Sequence, residues 1–288
     1  RAGRSAIGVD LAPLAQHIVR VKTTPLDKRN AAALGRTLVQ SAQKAIQTQP
    51  DALRAALDAR WDAKSRSFVD YWFAPRTQLE LEALKQHIEA IDDPVQRDFF
   101  ALAFSSLIVT KSGGVSMAVD LAHTRPHRAK VVYDHTGTCA LEMDTSGLSE
   151  RRKEILTKHL RSPLAQFKRI WPKKLQQVPH ADDDRGTALL HSGDAQGLQL
   201  DDHTADLIVT SPPYAANAID YMRAHKFSLV WMGHSIDALG TRRREYIGGE
   251  AVTTVEYETL PSDTQQVVDR IATVDEKKVG CCIATTPK

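Results

Sequence analysis

Residues 205–214 read Ala-Asp-Leu-Ile-Val-Thr-Ser-Pro-Pro-Tyr. The apolar, mostly β-branched run within this stretch predicts a strand over 206–210 that is buried on both faces. Proline cannot donate to a strand ladder and disfavours helix at the residue before it, so the strand must end at Ser-Pro-Pro. We therefore expect a stiff loop that presents Ser211, proline-flanked carbonyls and Tyr214 at the carboxyl end of the strand, where open α/β sheets bind ligands.

The groups in this loop suit one kind of chemistry. An exocyclic amino group of a nucleobase is a poor nucleophile because its lone pair is delocalised into the ring. Acceptors such as Ser211 Oγ and the Pro212 carbonyl can hold the amino nitrogen closer to tetrahedral, which frees the lone pair for in-line attack on a methyl donor. The ring of Tyr214 can stack on a base turned out of its helix.

The sequence Thr210-Ser211-Pro212-Pro213-Tyr214 resembles the catalytic motif of amino-group DNA methyltransferases. Its serine is typical of the cytosine-N4 branch, whereas aspartate or asparagine there is more typical of adenine-N6 enzymes. The resemblance to bacterial-type members continues through Asn217, 219–221, Arg223, 225–226 and 229–233. It implies that Ser211, Pro212, Pro213 and Tyr214 are catalytic, and that Thr210 contacts the cofactor, S-adenosylmethionine.

A second segment with nucleotide-binding character lies near the start of the chain. Residues 5–10, Ser-Ala-Ile-Gly-Val-Asp, predict a buried strand that ends in Asp10, followed by a helix that opens near Pro13. An acid at the tip of such a strand commonly binds ribose hydroxyls, but an aspartate after a strand is more often a helix cap. Residues 8–15 resemble the ribose-binding strand and following helix of the same family, which implies that Asp10 binds the ribose of S-adenosylmethionine.

A third segment, 188–195, predicts a strand that ends at Asp194. The resemblance implies that Asp194 lies at the adenine end of the cofactor, although ordinary turn chemistry at Gly-Asp is the alternative. In the resembled family, a further strand and a glycine-rich loop hold the methionine part of the cofactor. The sequence contains no Gly-x-Gly. We therefore expect the chain to be a fragment, or another segment or subunit to supply that loop.

The order of these segments predicts an α/β fold, an incomplete Rossmann-like class I methyltransferase sheet with a large, mainly helical insertion. Residues 1–25 and 181–288 are expected to form the catalytic core. Residues 26–180 are expected to form an inserted target-recognition lobe, because a structureless loop of that length is implausible. Asp92-Asp93-Pro94 predicts a turn and a helix start before a helix over 95–109 with a wide apolar face. Further expectations are packing of Trp61 and the aromatic cluster 71–73 against the helices, and a helix over 219–232.

The segment 151–174 is the clearest electrostatic feature, with nine Lys or Arg residues and a single acid. It carries a net charge of +8, and because the whole chain carries +3, the rest carries −5. Such a concentration is typical of phosphate-backbone binding, although a solvated helix face is the alternative. The candidate DNA-binding residues from this segment, the connector 111–130 and the arginine run 242–244 are Arg125, Arg128, Lys168, Arg169, Lys173, Lys174, Arg242 and Arg244.

Composition sets further bounds on the protein. A chain of 288 residues that is 42% apolar and 25% charged is typical of a globular protein. No apolar run approaches the roughly 18 residues of a membrane helix, and no signal-peptide pattern is present, so a cytoplasmic, nucleoid-associated location is expected. None of the three cysteines follows a proline, the context of the nucleophile in carbon-5 cytosine methyltransferases, and no metal is expected.

These features together predict an S-adenosylmethionine-dependent methyltransferase that acts on double-stranded DNA by flipping its target base, with cytosine N4 as the expected acceptor. The nearest alternative is an adenine-N6 or an RNA amino-methyltransferase. The alternative from a different class is an inactive DNA-binding fragment or partner subunit.

Overall fold

The computed structural model describes residues 3–121, 126–180, 186–195, 197–198, 200–211, 220–246 and 261–273. It is a mixed α/β structure in which helices predominate and the sheets are small. The helices of this part of the chain are α1 (Pro13–Thr23), α2 (Lys28–Thr48), α3 (Pro50–Arg60), α4 (Ala63–Trp72), α5 (Pro75–Glu89), α6 (Pro94–Ile108), α7 (Glu150–Ile155), α8 (Pro163–Leu175), α9 (Met222–Leu229), α10 (Ile236–Arg244) and α11 (Ser262–Ala272). The strands are β1 (Ala6–Asp10), β2 (Ala118–Asp120), β3 (His127–Arg128), β4 (Val131–Tyr133), β5 (Cys139–Glu142), β6 (Thr157–His159) and β7 (Ala188–Ser192).

The chain divides into two compact units. The first unit consists of residues 1–197 and 223–236, and the second of residues 198–222 and 237–288. All the strands listed above and helices α1–α8 belong to the first unit, whereas α11 belongs to the second. The predicted division into a catalytic core and an inserted lobe stays a prediction.

Helix α5 is the centre of the first unit. It packs against α2, α3, α6 and α8, and most of its residues are buried. Leu81, Ala83 and Leu84 are completely inaccessible. Because α5 is buried on its other faces as well, its charged residues Glu80, Glu82 and Lys85 lie in the interior. Each of them requires a partner there.

The interior charge of Glu82 is balanced by Arg60, the last residue of α3. Arg60 Nε and Nη2 donate to the two carboxylate oxygens of Glu82, each at 2.7 Å, and Gln86 Nε2 adds a third bond at 3.0 Å. Burial disfavours the charged form of Arg60, but the hydrogen bonds to Glu82 and Glu89 outweigh it and raise the pKa of the guanidinium. The two helices are therefore joined by a fully hydrogen-bonded, desolvated ion pair.

Aromatic side chains join residues 223–236 to the helices that precede them by more than a hundred positions. The ring of Trp231 lies 4.8 Å from that of Trp61, 5.6 Å from Phe73 and 6.3 Å from Phe104, all at steep angles. Trp61 Nε1 also donates to the Val230 carbonyl at 3.1 Å. The prediction that Trp61 and the cluster 71–73 pack against the helices is confirmed except for the ring of Tyr71, which is 50% exposed.

The predicted helix starts are confirmed at two prolines. Helix α1 begins at Pro13, and α6 begins at Pro94 with the side chain of Asp93 accepting a hydrogen bond from Val95 N. Proline suits the first turn because its missing N–H has no partner there in any case. The predicted apolar face of α6 is also confirmed, since its phenylalanines 99, 100 and 104 are buried.

Strands β1 and β7 form a two-stranded parallel sheet, although about 180 residues separate them in the sequence. Ala6 pairs with Ala188 and Asp10 with Ser192, so the two strands end together. Both predicted strands are therefore present and adjacent. Elsewhere in the first unit, β5, β4 and β6 form a three-stranded sheet and β2 pairs with β3, so residues 26–180 are not purely helical.

Three of the sequence-based expectations are wrong. Residues 206–210 form no strand, and the side chains of Leu207, Ile208 and Val209 are 73%, 81% and 85% exposed. Strand β1 is paired but not buried, and the helix predicted over 219–232 is limited to α9, after which Gly233 adopts a φ of 96°. Apolar composition alone does not bury a strand, because burial requires neighbouring strands and helices on both faces.

Replacement of Arg60 by alanine should lower the unfolding free energy by about 3–5 kcal/mol, because it leaves the fully buried carboxylate of Glu82 without its counter-charge. Urea unfolding monitored by circular dichroism measures the change. The matched control is Arg54→Ala, which breaks an exposed pair with Asp51 and should leave the stability nearly unchanged. Equal effects of the two substitutions would contradict the role of the Arg60–Glu82 pair.

Gly35 of α2 provides a second test of the packing. A Cβ atom at this position would lie 3.0 Å from three ring carbons of Trp171 in α8, and that ring is itself packed against Phe100. Gly35→Ala should therefore lower stability by about 1 kcal/mol, since overpacking outweighs the gain in helix propensity. Gly240→Ala in α10, where nothing lies within 4 Å, should raise stability instead. Thermal unfolding compares the two, and a stabilised Gly35→Ala protein would contradict this packing.

Candidate functional site

The carboxyl ends of β1 and β7 form the first part of the candidate site. Asp10 is exposed, and its Oδ1 accepts a hydrogen bond from Ala12 N at 2.7 Å. This bond fixes the carboxylate at the turn that leads into α1. The bond is an Asx turn before the helix and not a helix cap, because the N-cap of α1 is Ala12 and has no side-chain cap hydrogen bond. The exposed side of the carboxylate can still accept hydrogen bonds from a ligand.

Gln16 of α1 holds the two strand ends together. Its Nε2 donates to the Asp10 carbonyl at 2.5 Å and to Ser192 Oγ at 2.9 Å. The amide thus bridges the last residue of β1 and the last residue of β7. Sequence reasoning missed Gln16, because a glutamine in the first turn of an amphipathic helix is ordinary, and only the pairing of β1 with β7 brings Ser192 within its reach.

Asp194 follows β7 at the same edge of the sheet. Gly193 N donates to the Asp10 carbonyl at 3.4 Å, and the Asp194 carbonyl accepts from Gly197 N at 3.2 Å, so the backbone turns directly after the strand. The two candidate cofactor-binding acids therefore come from the adjacent carboxyl ends of two parallel strands. Their assignment to ribose and adenine stays a prediction.

The candidate catalytic loop belongs to the second unit. Thr210 and Ser211 are exposed. Pro212, Pro213 and Tyr214 lie outside the described residues, as does Arg125 of the basic connector. The exposure of Ser211 leaves its hydroxyl accessible to a ligand.

The arginine run of α10 divides by role. Arg243 forms an ion pair with Asp220, whose side chain is only 2% exposed. Arg242 is half-buried and Arg244 is exposed in the last turn of the helix. Arg243 therefore anchors the helix, and Arg244 is more exposed than Arg242.

The basic segment 151–174 is not one helical face, because its cations are distributed over α7, β6, the turn after β6 and α8. On α8, Lys168, Arg169 and Lys173 are exposed. Lys174 is half-buried, and its pKa is lowered by burial and by the charge of Lys22. Arg128 lies apart from α8 in the sequence, with its guanidinium 4.1 Å from the centre of the Tyr71 ring, which is a cation–π contact.

The residues at the β1–β7 edge fit the sugar of a nucleoside cofactor better than they fit a metal ion. Asp10 offers a carboxylate with one oxygen held by backbone and an exposed side, which suits neighbouring hydroxyl groups. Over the described ranges, no three His, Cys, Asp or Glu side chains are grouped so as to hold a metal ion. Nor does any helix of that part of the chain have the length and apolar composition needed to cross a membrane.

Comparisons of the chain with protein-family models, with curated proteins and with solved structures found no match.

Gln16→Ala should loosen the paired strand ends, because it removes both bonds that bridge β1 and β7 through α1. Hydrogen–deuterium exchange of peptides that cover 5–11 and 187–194 should be faster in the variant. The control is Gln43→Ala on the exposed side of α2, which should leave exchange in both peptides unchanged. Unaltered exchange in Gln16→Ala would show that the bridge does not stabilise this edge.

Proposed function

We propose that this chain is an S-adenosylmethionine-dependent DNA methyltransferase that modifies an exocyclic amino group, with cytosine N4 as the preferred acceptor. The observation that carries the proposal is the sequence Ser-Pro-Pro-Tyr at 211–214, which combines a hydroxyl, proline-flanked carbonyls and an aromatic ring in four residues. That combination suits an amino group conjugated to a base, because it supplies both the acceptors and the stacking surface.

The edge formed by β1 and β7 supports the cofactor part of the proposal. Asp10 and Asp194 follow the ends of two paired parallel strands, the position at which α/β sheets commonly bind nucleotides. In the proposed complex, Asp10 accepts hydrogen bonds from the ribose hydroxyls and Asp194 lies near the adenine. Gln16 keeps the two strand ends in register.

Ser211 and the Pro212 carbonyl would accept the two N–H bonds of the target amino group, and Tyr214 would stack on the flipped base. S-adenosylmethionine supplies a methyl group on a sulfonium centre. The amino nitrogen, oriented by these acceptors, would form a bond to the methyl carbon as the sulfur–carbon bond broke, and the positive charge would pass from sulfur to the base nitrogen. The nitrogen would then lose a proton to water, which would restore a neutral amine, and this scheme requires neither a covalent enzyme intermediate nor a metal ion.

The cations of the first unit support DNA as the substrate. Lys168, Arg169 and Lys173 are exposed on one helix, and they belong to a segment with a net charge of +8 in a chain whose remainder carries −5. Positive side chains concentrated in this way contact the phosphate backbone irrespective of sequence. Arg128, Lys174, Arg242 and Arg244 are the other proposed contacts, and Arg125 is included from the sequence alone.

Ser211→Ala and Tyr214→Ala should each abolish transfer of a radiolabelled methyl group from S-adenosylmethionine to duplex DNA, while salt-sensitive DNA binding is retained. The reason is that both side chains act on the flipped base and not on the phosphates. The matched control is Ser262→Ala, an exposed serine of the same unit whose hydroxyl pairs with the adjacent Asp263, and it should leave transfer unchanged. Activity that survives both substitutions would refute the site.

The choice of acceptor is tested with substrates. Duplexes in which only cytosine or only adenine is available, and a matched RNA, separate cytosine-N4 from adenine-N6 and RNA methylation. Calorimetry with S-adenosylmethionine tests the remaining alternative. A folded protein that binds DNA but gives no heat with the cofactor would identify the chain as a DNA-binding fragment or partner subunit without activity of its own.

A further inference from the structure

A cavity of about 330 Å³ in the first unit is lined by cations and hydroxyl groups. One water needs only about 10–15 Å³ of such space, so the cavity has room for a phosphate ion. Its charged and polar lining comes from α6, the turn that follows it, β6 and α8. The described lining residues are Ser106, Leu107, Thr110, Ser112, Gly114, Val115, Lys158, His159, Arg161, Gln166, Arg169 and Ile170, and none of these is acidic.

Lys158 of β6 is held rigidly at one wall of the cavity. Its Nζ donates to the Ser112 carbonyl at 2.9 Å and to the Ala118 carbonyl at 2.5 Å. An ammonium group has three N–H donors, so these two bonds leave one for a ligand. Burial, together with the charge of Arg161, lowers the pKa of Lys158 to about 8. The charged form of the lysine is therefore disfavoured in the free protein.

The turn after α6 shapes the same wall and depends on two glycines. Gly113 and Gly114 have φ values of 72° and 51°, and a Cβ at Gly114 would lie 2.0 Å from the Leu107 carbonyl oxygen. Thr110 Oγ1 accepts a hydrogen bond from Gly114 N at 2.7 Å. Because its oxygen is the acceptor in that bond, the Thr110 hydroxyl keeps its hydrogen for another partner.

The part of the lining that α8 contributes is held in position by the buried helix α5. Glu80 accepts hydrogen bonds from Ser162 Oγ at 2.5 Å and from Leu164 N at 3.1 Å, which fixes the start of α8. Arg161 immediately precedes this anchor, and Arg169 lies two turns further along α8. Both arginines therefore lie at or near a helix whose first turn is hydrogen-bonded to the core.

We propose that this cavity is a phosphate-binding site in which Lys158, Arg161 and Arg169 bind a single phosphate group. Three cations and a hydroxyl donor surround a space without an acidic lining residue, and a phosphate provides several oxygen acceptors and the missing negative charge. Arginine binds two phosphate oxygens at once, whereas the pinned lysine acts as a fixed point charge. The phosphate comes either from the backbone of a nucleic acid or from free phosphate in solution.

Titration calorimetry with inorganic phosphate, with chloride at matched ionic strength as the blank, tests the site in the full chain. Arg161→Gln and Arg169→Gln should each weaken phosphate binding about tenfold or more, because each removes charged donors to the anion. Both side chains are exposed, so the variants should fold normally. The matched control is Lys44→Gln, an exposed cation of α2 outside the cavity lining, which should leave phosphate binding unchanged.

Fluorescence anisotropy with a labelled duplex identifies the source of the phosphate. If the source is DNA, the Arg161→Gln/Arg169→Gln double variant should bind the duplex more weakly and show a salt dependence that is smaller by about two charges. Unchanged duplex binding with lost phosphate binding would assign the site to free phosphate. Absence of phosphate binding to the wild type, or equal binding by the wild type and both single variants, would overturn the site.

Only the assignment of the bound phosphate to DNA rests on the proposed function. A wild-type chain that binds phosphate through these arginines but transfers no methyl group would leave this site standing and remove the proposed function. Conversely, methylation could depend on Ser211 while phosphate binding is unaffected by substitution of Arg161 and Arg169. That result would remove only the phosphate site.

The affinity for phosphate should also decrease as the pH rises, because Lys158 loses its charge as the pH passes its pKa of about 8. The other ionisable groups that line the cavity are Arg161, Arg169 and His159. The affinity measured by calorimetry should be about tenfold lower at pH 9 than at pH 7. Inorganic phosphate gains negative charge over the same range, which would strengthen binding, so the pH dependence is compared with that of Lys158→Gln. An identical pH dependence in the two proteins would remove Lys158 from the site.

Discussion

The first unit depends on one constraint, which is that the helix at its centre contains charged residues. Helix α5 packs against four other helices and has hardly any face left for solvent. Each charged side chain inside must therefore meet a specific partner, as Glu82 meets Arg60 and Glu80 meets the start of α8. Apolar packing tolerates small shifts, but a buried ion pair requires its geometry, so these contacts fix which helices lie beside α5 and where.

This constraint extends to the basic surface. Glu80 accepts hydrogen bonds from the first turn of α8 and also lies 3.2 Å from His135 Nε2, so it connects α8 and the β4–β5 turn to the core. The cations of α8 are consequently attached to an element whose start is fixed to the core. A preorganised set of cations loses less entropy on binding a phosphate than flexible side chains would lose.

The candidate methyltransferase site has a different construction. Its cofactor edge is formed by two short paired strands that are far apart in the sequence, and Gln16 bridges their ends. Its catalytic loop follows a segment whose apolar side chains are exposed, whereas the sequence predicted a buried strand there. Local pattern predicted strands in all three segments, but pairing depends on partners distant in the sequence, and of these segments only 5–10 and 188–195 contain strands in the described part of the chain.

The sequence by itself determined the features that depend on neighbouring residues. Pro13 and Pro94 mark helix starts, the phenylalanines of α6 form an apolar face, and 151–174 concentrates positive charge. Tertiary structure decided what depends on distant residues. It exposed 206–210, joined Gln16 to Ser192, and brought Lys158 to the carbonyls of residues 112 and 118. The reason is physical: propensity and capping act over a few residues, whereas burial and charge compensation depend on which elements pack together.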